Sequence, residues 1–251
     1  MMILLLDIGN TNTHLGLANA RGVFKQADIA TAGWGKRQGE EALRHFAGKS
    51  ILEGAVACSV VPRATSAARR AVDRLWAIPW LELTARTVRG LGIDYPKPAT
   101  IGSDRLANAL AARHHFGAPC VAIGFGTAAT FNVVDRAGNF VGGIIAPGLA
   151  LMTRYLHEKT ALLPEIRMRD TEAVIGKNTE EAMLIGALHG FRGLVRELVR
   201  ELRQELRCRR LPVVATGGYA KLVAPHVPEI TAVEPKLTLE GLRLTWLAWK
   251  K

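Results

Sequence analysis

Apolar positions along the chain fall into short runs broken by small polar residues, and the first run sets the frame for the rest. Met2 to Leu6 are five consecutive apolar residues, which predicts a buried strand. Asp7, Gly9, Asn10, Thr11, Asn12 and Thr13 follow at its tip, and the chain then turns into a second apolar strand reaching Leu17. A third strand is expected over Gly22 to Ala30 and a helix over 37–49. Another buried strand spans Gly54 to Val61, stopped by Pro62; an amphipathic helix covers Ala64 to Trp76, and a short strand Pro79 to Leu83. This order predicts an α/β unit with an antiparallel hairpin at the start of an otherwise parallel sheet.

From Arg86 to Ser103 the chain is rich in glycine and proline, a long loop of the kind that often carries function. It feeds an alanine-rich helix over Leu106 to Arg113. The second half then repeats the first. Cys120 to Val134 reads as strand, tight Gly-Thr turn and strand, and Asn139 to Ala146 supplies a third. Leu6-Asp7-Ile8-Gly9-Asn10 aligns with Ile123-Gly124-Phe125-Gly126-Thr127. Two copies of one fold facing each other would bring both polar turns to a common cleft. Beyond these come a helix over Gly148 to Glu158, a loop with Pro164, a helical region from Thr179 to Arg207, a strand over Leu211 to Ala215, Gly217-Gly218, a short helix, and a closing helix over Leu239 to Trp249.

The first turn has the composition of a phosphate-binding turn. Backbone N–H groups approach an anion only where side chains are small, as at Gly9, and Asn10, Thr11 and Thr13 add donors. Asp7 would repel phosphate, so its natural task there is to hold a hydrated Mg²⁺. A plain hairpin with a polar turn and a capping Asp is the alternative.

Composition narrows the class. The chain has 251 residues, 49% hydrophobic, enough for one large domain or two ordinary ones. No apolar run approaches the roughly 20 residues that span a bilayer, and the start lacks the charged segment and cleavage site of a signal peptide, so a cytoplasmic protein is expected. Cys58, Cys120 and Cys208 are scattered without metal-ligand spacing, and none of the seven histidines is assigned to a metal. The net charge of +11 lies largely on helical arginines; from Arg192 to Arg210, Arg196 and Arg200 interleave with Glu197, Glu201 and Glu205, which reads as a solvated face. With no helix-turn-helix or zinc finger and only 6% aromatic residues, nucleic-acid binding is not expected.

The Asp-x-Gly turn, the later Gly-Thr turn and Thr216-Gly217-Gly218 follow the layout of the acetate and sugar kinase, Hsp70 and actin superfamily. The segments DIGNTNTHLGL, SVVPR, GSDRLANALAA, GTAATFNVVD, GGIIAPGLALM, TALLP, IGKNTEEAMLIG, ATGGYAKL and LTLEGLRL, in this order and spacing, resemble the type III pantothenate kinases along nearly the whole chain. The resemblance implies two duplicated RNase H-like (actin-like ATPase) domains around a central cleft, 1–114 and 115–251, with the last helix free to pack back on the first. It implies ATP-dependent phosphorylation of pantothenate to 4′-phosphopantothenate, the first step towards coenzyme A. Asp7, Gly9, Asn10, Thr11, Asn12 and Thr13 would bind ATP phosphates and, through Asp7 and water, Mg²⁺. Gly126 and Thr127 would bind ATP as well, and Thr216, Gly217 and Gly218 would lie by the adenosine.

Asp104 is implied as catalytic base and Arg105 as the cation that stabilises substrate or the moving phosphoryl group. From the residues alone, Asp104 is a helix N-terminal acid and Arg105 a surface arginine. Gly102, Ser103, Tyr95 and Thr179 would join the substrate site; Thr179 otherwise reads as the N-cap of a helix beginning at Glu180. The family also implies a homodimer with the pantothenate pocket completed at the interface. One position departs: where many members carry an Asp that binds K⁺ or NH₄⁺, this chain has Gly124. The monovalent-cation requirement is therefore expected to be lost or reduced, or the charge gap filled by a group such as Arg105. Another sugar or acyl kinase, or a regulatory accessory protein suggested by the basic charge, are the competing readings.

Overall fold

The computed structural model describes residues 2–250, so the end residues of the two expected domains, 1 and 251, lie outside the described residues. The chain forms two compact units: unit 1 runs to His115 and resumes at Lys236, and unit 2 spans Phe116–Pro235. The closing helix thus belongs to unit 1.

In unit 1, β1 (Met2–Ile8) pairs antiparallel with β2 (Asn12–Ala18), which pairs antiparallel with β3 (Val23–Ala30). On its other side β1 runs parallel to β4 (Leu52–Ser59), and β4 to β5 (Trp80–Glu82), giving the order β3-β2-β1-β4-β5. A strand flanked on both sides and covered on both faces must be apolar throughout; Ile3 to Leu6 and Ile8 are at most 1% exposed. Leu4, Leu6 and Ile8 pack with α1 (Arg37–Ala47) and α2 (Pro62–Trp76). Pro62 opens α2 at its first turn, where its missing N–H costs nothing.

The opposite face is covered by α7 (Leu237–Trp249). Two glycines let α7 approach. A Cβ on Gly54 would lie 1.9 Å from the Trp246 ring, and one on Gly241 would lie 2.1 Å from the Ala107 carbonyl oxygen of α3 (Ser103–Phe116). The loop before α3 carries the two-residue β6 (Gly92–Ile93). The helix α3 begins three residues before the expected start, at Ser103, and so takes Asp104 and Arg105 into its first turn.

In unit 2, β7 (Cys120–Phe125) pairs antiparallel with β8 (Ala128–Val134), and β8 with β9 (Asn139–Pro147). On its other side β7 runs parallel to β10 (Val213–Thr216), and β10 to β11 (Ala232–Val233). The sequence of β9-β8-β7-β10-β11 repeats the neighbours and directions of β3-β2-β1-β4-β5. The two-residue β11 has too short a pattern to be read from the sequence. After α4 (Leu149–Lys159), the 27-residue α5 (Thr179–Glu205) places Leu184, Leu188, Phe191 and Val195 against Val121, Ile123 and Phe125. A short α6 (Ala220–Val223) follows β10.

Two expectations about α5 are corrected. Its N-cap is Asn178, whose Oδ1 accepts from the Glu181 N–H at 2.9 Å, so Thr179 is the first helical residue rather than the cap of a helix beginning at Glu180. Arg192 is not on a solvated face: it is 4% exposed, donates to Asp170 Oδ1 at 2.7 Å and to the Leu222 carbonyl at 3.1 Å. Arg196 and Arg200 do stay exposed, with Arg200 bound to Glu197 and Glu201.

Candidate functional site

In unit 1 the site is built where β1 ends. Register places Asp7 opposite His14 on β2 and Cys58 on β4, and Ile8 opposite Thr13 and Ser59. Beyond Ile8 the chain turns through Gly9, whose N–H donates to the Asn12 carbonyl at 3.0 Å; a Cβ there would sit 3.0 Å from that same oxygen, so the tight closure favours glycine. Asn10, Thr11 and Asn12 are exposed and present their side chains outward.

Thr13 is placed differently. It is fully buried, and its hydroxyl lies 3.0 Å from Thr31 Oγ1 and accepts from the Trp34 indole N–H at 2.9 Å. It braces the turn from within and is not an outward donor. Thr31 in turn donates to the Gly9 carbonyl at 2.7 Å, and its N–H bonds the Thr11 carbonyl at 2.9 Å. Thr31 and Trp34 were not singled out from the sequence.

Asp7 is half-buried, and its carboxyl is pushed up to about 6, first by burial and then by the negative charge of Asp104; His14 and a hydrogen bond from the Cys58 thiol to Oδ1 at 3.3 Å act in the opposite sense. Asp104 stands in the first turn of α3 and is also pushed up by burial, against the lowering influence of the Arg105 and Asp104 backbone N–H groups and the Arg105 guanidinium. Its Oδ1 is buried and has no hydrogen-bond partner. Gly102 makes room for it, since a Cβ there would lie 2.7 Å from Asp104 Oδ1.

Burial lowers the Arg105 guanidinium, while Asp104 and Tyr95 pull it back up, so these three groups share one neighbourhood. Ser103 is drawn elsewhere. Its hydroxyl accepts from the Ser59 N–H at 2.8 Å and donates to the Ser59 carbonyl at 3.1 Å, a two-bond clasp that ties the start of α3 to the end of β4. Ser103 therefore positions Asp104, and its hydroxyl is spent on the backbone.

Among the described residues there is no group of three or more His, Cys, Asp or Glu that would hold a metal by itself. A single carboxylate at the end of β1, Asp7, is the donor that would suit a hydrated Mg²⁺, which keeps most of its waters and takes one or two carboxylates with phosphate oxygens. Its carboxyl is raised first by burial and then by the charge of Asp104, a penalty that a bound cation would relieve.

In unit 2 the turn between β7 and β8 is Gly126-Thr127, both exposed, with the Gly126 N–H donating to the Ala128 carbonyl at 3.1 Å. Two other glycines support it from below. A Cβ on Gly148 would lie 2.3 Å from the Thr127 carbonyl oxygen and 2.4 Å from that of Gly126, and one on Gly217 would lie 2.6 Å from that of Phe125. Gly217 also adopts φ +93°, the left-handed region that disfavours a side chain. Gly217 and Gly218 are exposed, whereas Thr216 is 4% exposed and packs inward. Gly124 is paired with Thr130 and Thr216, and Thr179 is exposed at the start of α5. Gly148 lies within the GGIIAPGLALM segment, which does not by itself show that it supports this turn.

The family model of the type III pantothenate kinases matches residues 3–201. The chain belongs to that family. It is 42% identical over 245 residues to a type III pantothenate kinase of Methylacidiphilum infernorum, across 96% of this chain and 87% of the relative. It is 42% identical over 245 residues to that of Akkermansia muciniphila, across 97% and 98%. The fold is similar to MreB 5 of Spiroplasma citri, solved bound to AMPPNP, at a TM-score of 0.52 and 12% identity over 99% of this chain and 97% of that one. The mixed α/β architecture with two sheets is thus of the actin-like kind, and membership of the family makes the chain a kinase.

Proposed function

We propose that this kinase transfers the γ-phosphoryl group of ATP to the primary hydroxyl of pantothenate, giving 4′-phosphopantothenate for coenzyme A biosynthesis, with Asp104 as the base and Arg105 as the charge-stabilising cation. The observation that carries the assignment is Asp104 Oδ1, a buried carboxylate oxygen without a partner. A buried acceptor left unpaired is costly, and a substrate O–H donating to it would remove that cost. The same hydrogen bond orients the hydroxyl oxygen for in-line attack and receives its proton as the new O–P bond forms and the bond to ADP breaks. Arg105, permanently charged, would balance the developing negative charge beside it, and Tyr95 would wall the pocket.

The backbone N–H groups and the Asn10, Thr11 and Asn12 side chains of the first turn would hold ATP phosphates, as would the Gly126-Thr127 turn in unit 2. Thr216, Gly217 and Gly218 would lie by the adenosine, with Thr216 supporting from the interior. Mg²⁺, held through water by Asp7, would supply charge neutralisation on the phosphates when bound. The repeated strand order of the two units supports a duplicated RNase H-like ancestry.

Homodimer formation is proposed on the apolar side chains that unit 2 leaves in solvent: Ile145 at 63% exposure, Tyr155 at 62%, Leu162 at 91% and Ile175 at 73%. The pantothenate pocket would be completed at the dimer interface, and Thr179 would reach the substrate. A cytoplasmic setting suits a reaction fed by ATP, and no described helix is long and apolar enough to cross a membrane.

The test is Asp104→Asn. The variant is expected to fold and bind ATP but to lose phosphoryl transfer to pantothenate in a coupled ADP-release assay; full turnover would overturn the assignment. Gly124 offers no anionic ligand, so activity with K⁺ is expected to be matched by activity with a bulky organic cation, and strict K⁺ dependence would sink that reading.

A further inference from the structure

Where α1 and α2 adjoin, unit 1 has a cavity of about 210 Å³ lined by Trp34, Lys36, Arg37, Glu40, Arg70 and Arg74, among others. Its charge is unbalanced. Glu40 is already engaged by Arg74, with contacts of 2.7 and 3.1 Å, and Arg37 pairs with Glu41 at 2.7 Å. Lys36 and Arg70 have no ion pair among the described residues. Lys36, the N-cap of α1, and Arg70 on α2, both exposed, thus line one small cavity as cations without an ion pair among the described residues, while Trp34, 8% exposed, forms an apolar wall. A guanidinium and an ammonium converging from two elements suit an anion with several acceptor oxygens.

The wall is also the far end of a hydrogen-bond chain to the phosphate turn. The direction of that chain is fixed. The Trp34 indole is a donor only and gives its N–H to Thr13 Oγ1 at 2.9 Å. Thr31 gives its hydroxyl proton to the Gly9 carbonyl at 2.7 Å, so in the 3.0 Å contact between the two threonines Thr13 must be the donor. The order Trp34 to Thr13 to Thr31 to Gly9 is one aligned series, in which each bond polarises the next. Gly39 keeps the indole in place, since a Cβ there would lie 3.2 Å from Trp34 Cε3 and 2.8 Å from the Gly33 carbonyl oxygen.

We propose that the cavity beside Trp34 binds a small phosphorylated anion through Lys36 and Arg70, and that Trp34 transmits its occupancy through Thr13 and Thr31 to the Gly9 turn. An anion bridging the two cations draws the Lys36 segment towards α2, fixes Trp34 and tightens the turn. The coupling half of this inference rests on the reading of that turn as an ATP site; the binding half does not.

The experiment uses the full chain and inorganic phosphate as the probe, at matched ionic strength with chloride. Phosphate is expected to tighten binding of a non-hydrolysable ATP analogue with Mg²⁺ about fivefold, the lower range of ordinary site-to-site coupling. In the double variant K36Q/R70Q the effect should vanish, and in W34F phosphate should still bind, by calorimetry, without tightening the analogue. Competition at the turn itself has the opposite sign, since phosphate would then weaken the analogue. No tightening in the wild type, or tightening that survives in K36Q/R70Q, would overturn the proposal. If the wild type binds no ATP analogue at all, the functional reading of the turn fails, and direct phosphate titration of wild type against K36Q/R70Q still decides the site.

Discussion

Removing the charge of Asp7 should stabilise the metal-free protein while destroying its use of Mg²⁺ and ATP. The folded-state value of Asp7 is about 6 against an ordinary 3.8. Because the folded value is raised, the charged form is the disfavoured one. Above pH 6 the folded protein carries a carboxylate penalised by burial; from pH 6 down to 3.8 protonation relieves that penalty and stability rises; below 3.8 both states are protonated and no difference remains. The rise from 3.8 to about 6 corresponds to about 3 kcal/mol at most. Water reaching a half-buried group reduces this, and about 2 kcal/mol is the working figure. Asp7→Asn keeps the shape and an oxygen to accept the Cys58 thiol, so nearly all of that difference should appear as added stability. At roughly 2–4 °C per kcal/mol for a chain of this size, the midpoint should rise by about 4–8 °C at pH 8 in EDTA. At pH 4 the gain should fall to about a fifth of its pH 8 value. Thermal unfolding of both proteins across pH 4 to 8 measures this directly. A variant no more stable than wild type at pH 8, or a gain independent of pH, would refute the charge-penalty account.

Two further perturbations probe the frame of the site. Gly148→Ala has an ordinary backbone conformation, φ −72°, so its cost is steric: the new Cβ would meet two carbonyl oxygens of the Gly126-Thr127 turn at 2.3 and 2.4 Å. The turn must move by about 1 Å, enough to weaken ATP binding about tenfold or more, which calorimetry would detect; unchanged affinity would show that this turn does not touch nucleotide. Trp246→Ala removes a fully buried ring stacked on Gly54 and should cost about 3–5 kcal/mol in urea unfolding, releasing α7 from unit 1, whereas a cost below about 1 kcal/mol would mean that α7 is held elsewhere.

Strands and helices were legible because burial imposes a period, and the same period held information about the site that composition alone obscured. Thr13 belongs to a run of small polar residues and so reads as a phosphate donor. Yet it is in phase with Leu15 and Leu17, the inward-facing residues of β2, and alternation alone directs it to the interior. Asn178 and Glu181 likewise have the spacing of a capping box, which separates the true cap from Thr179 beside it. Other features had no local signal. The clasp between Ser103 and Ser59 joins residues 44 apart, and the bond from Thr31 to Gly9 joins residues 22 apart. Such pairings depend on which strand end meets which helix start, and nothing in either segment by itself encodes the partner. The divide falls between residues that stand in the family's motifs and residues that hold them still. Gly9, Asp104 and Arg105 stand in the DIGNTNTHLGL and GSDRLANALAA segments, and it is those segments that drew attention to them. Thr31 and Trp34 meet a geometric demand that many residues elsewhere in the chain could have met, and although Ser59 and Gly148 lie within SVVPR and GGIIAPGLALM, only the folded arrangement shows what they hold.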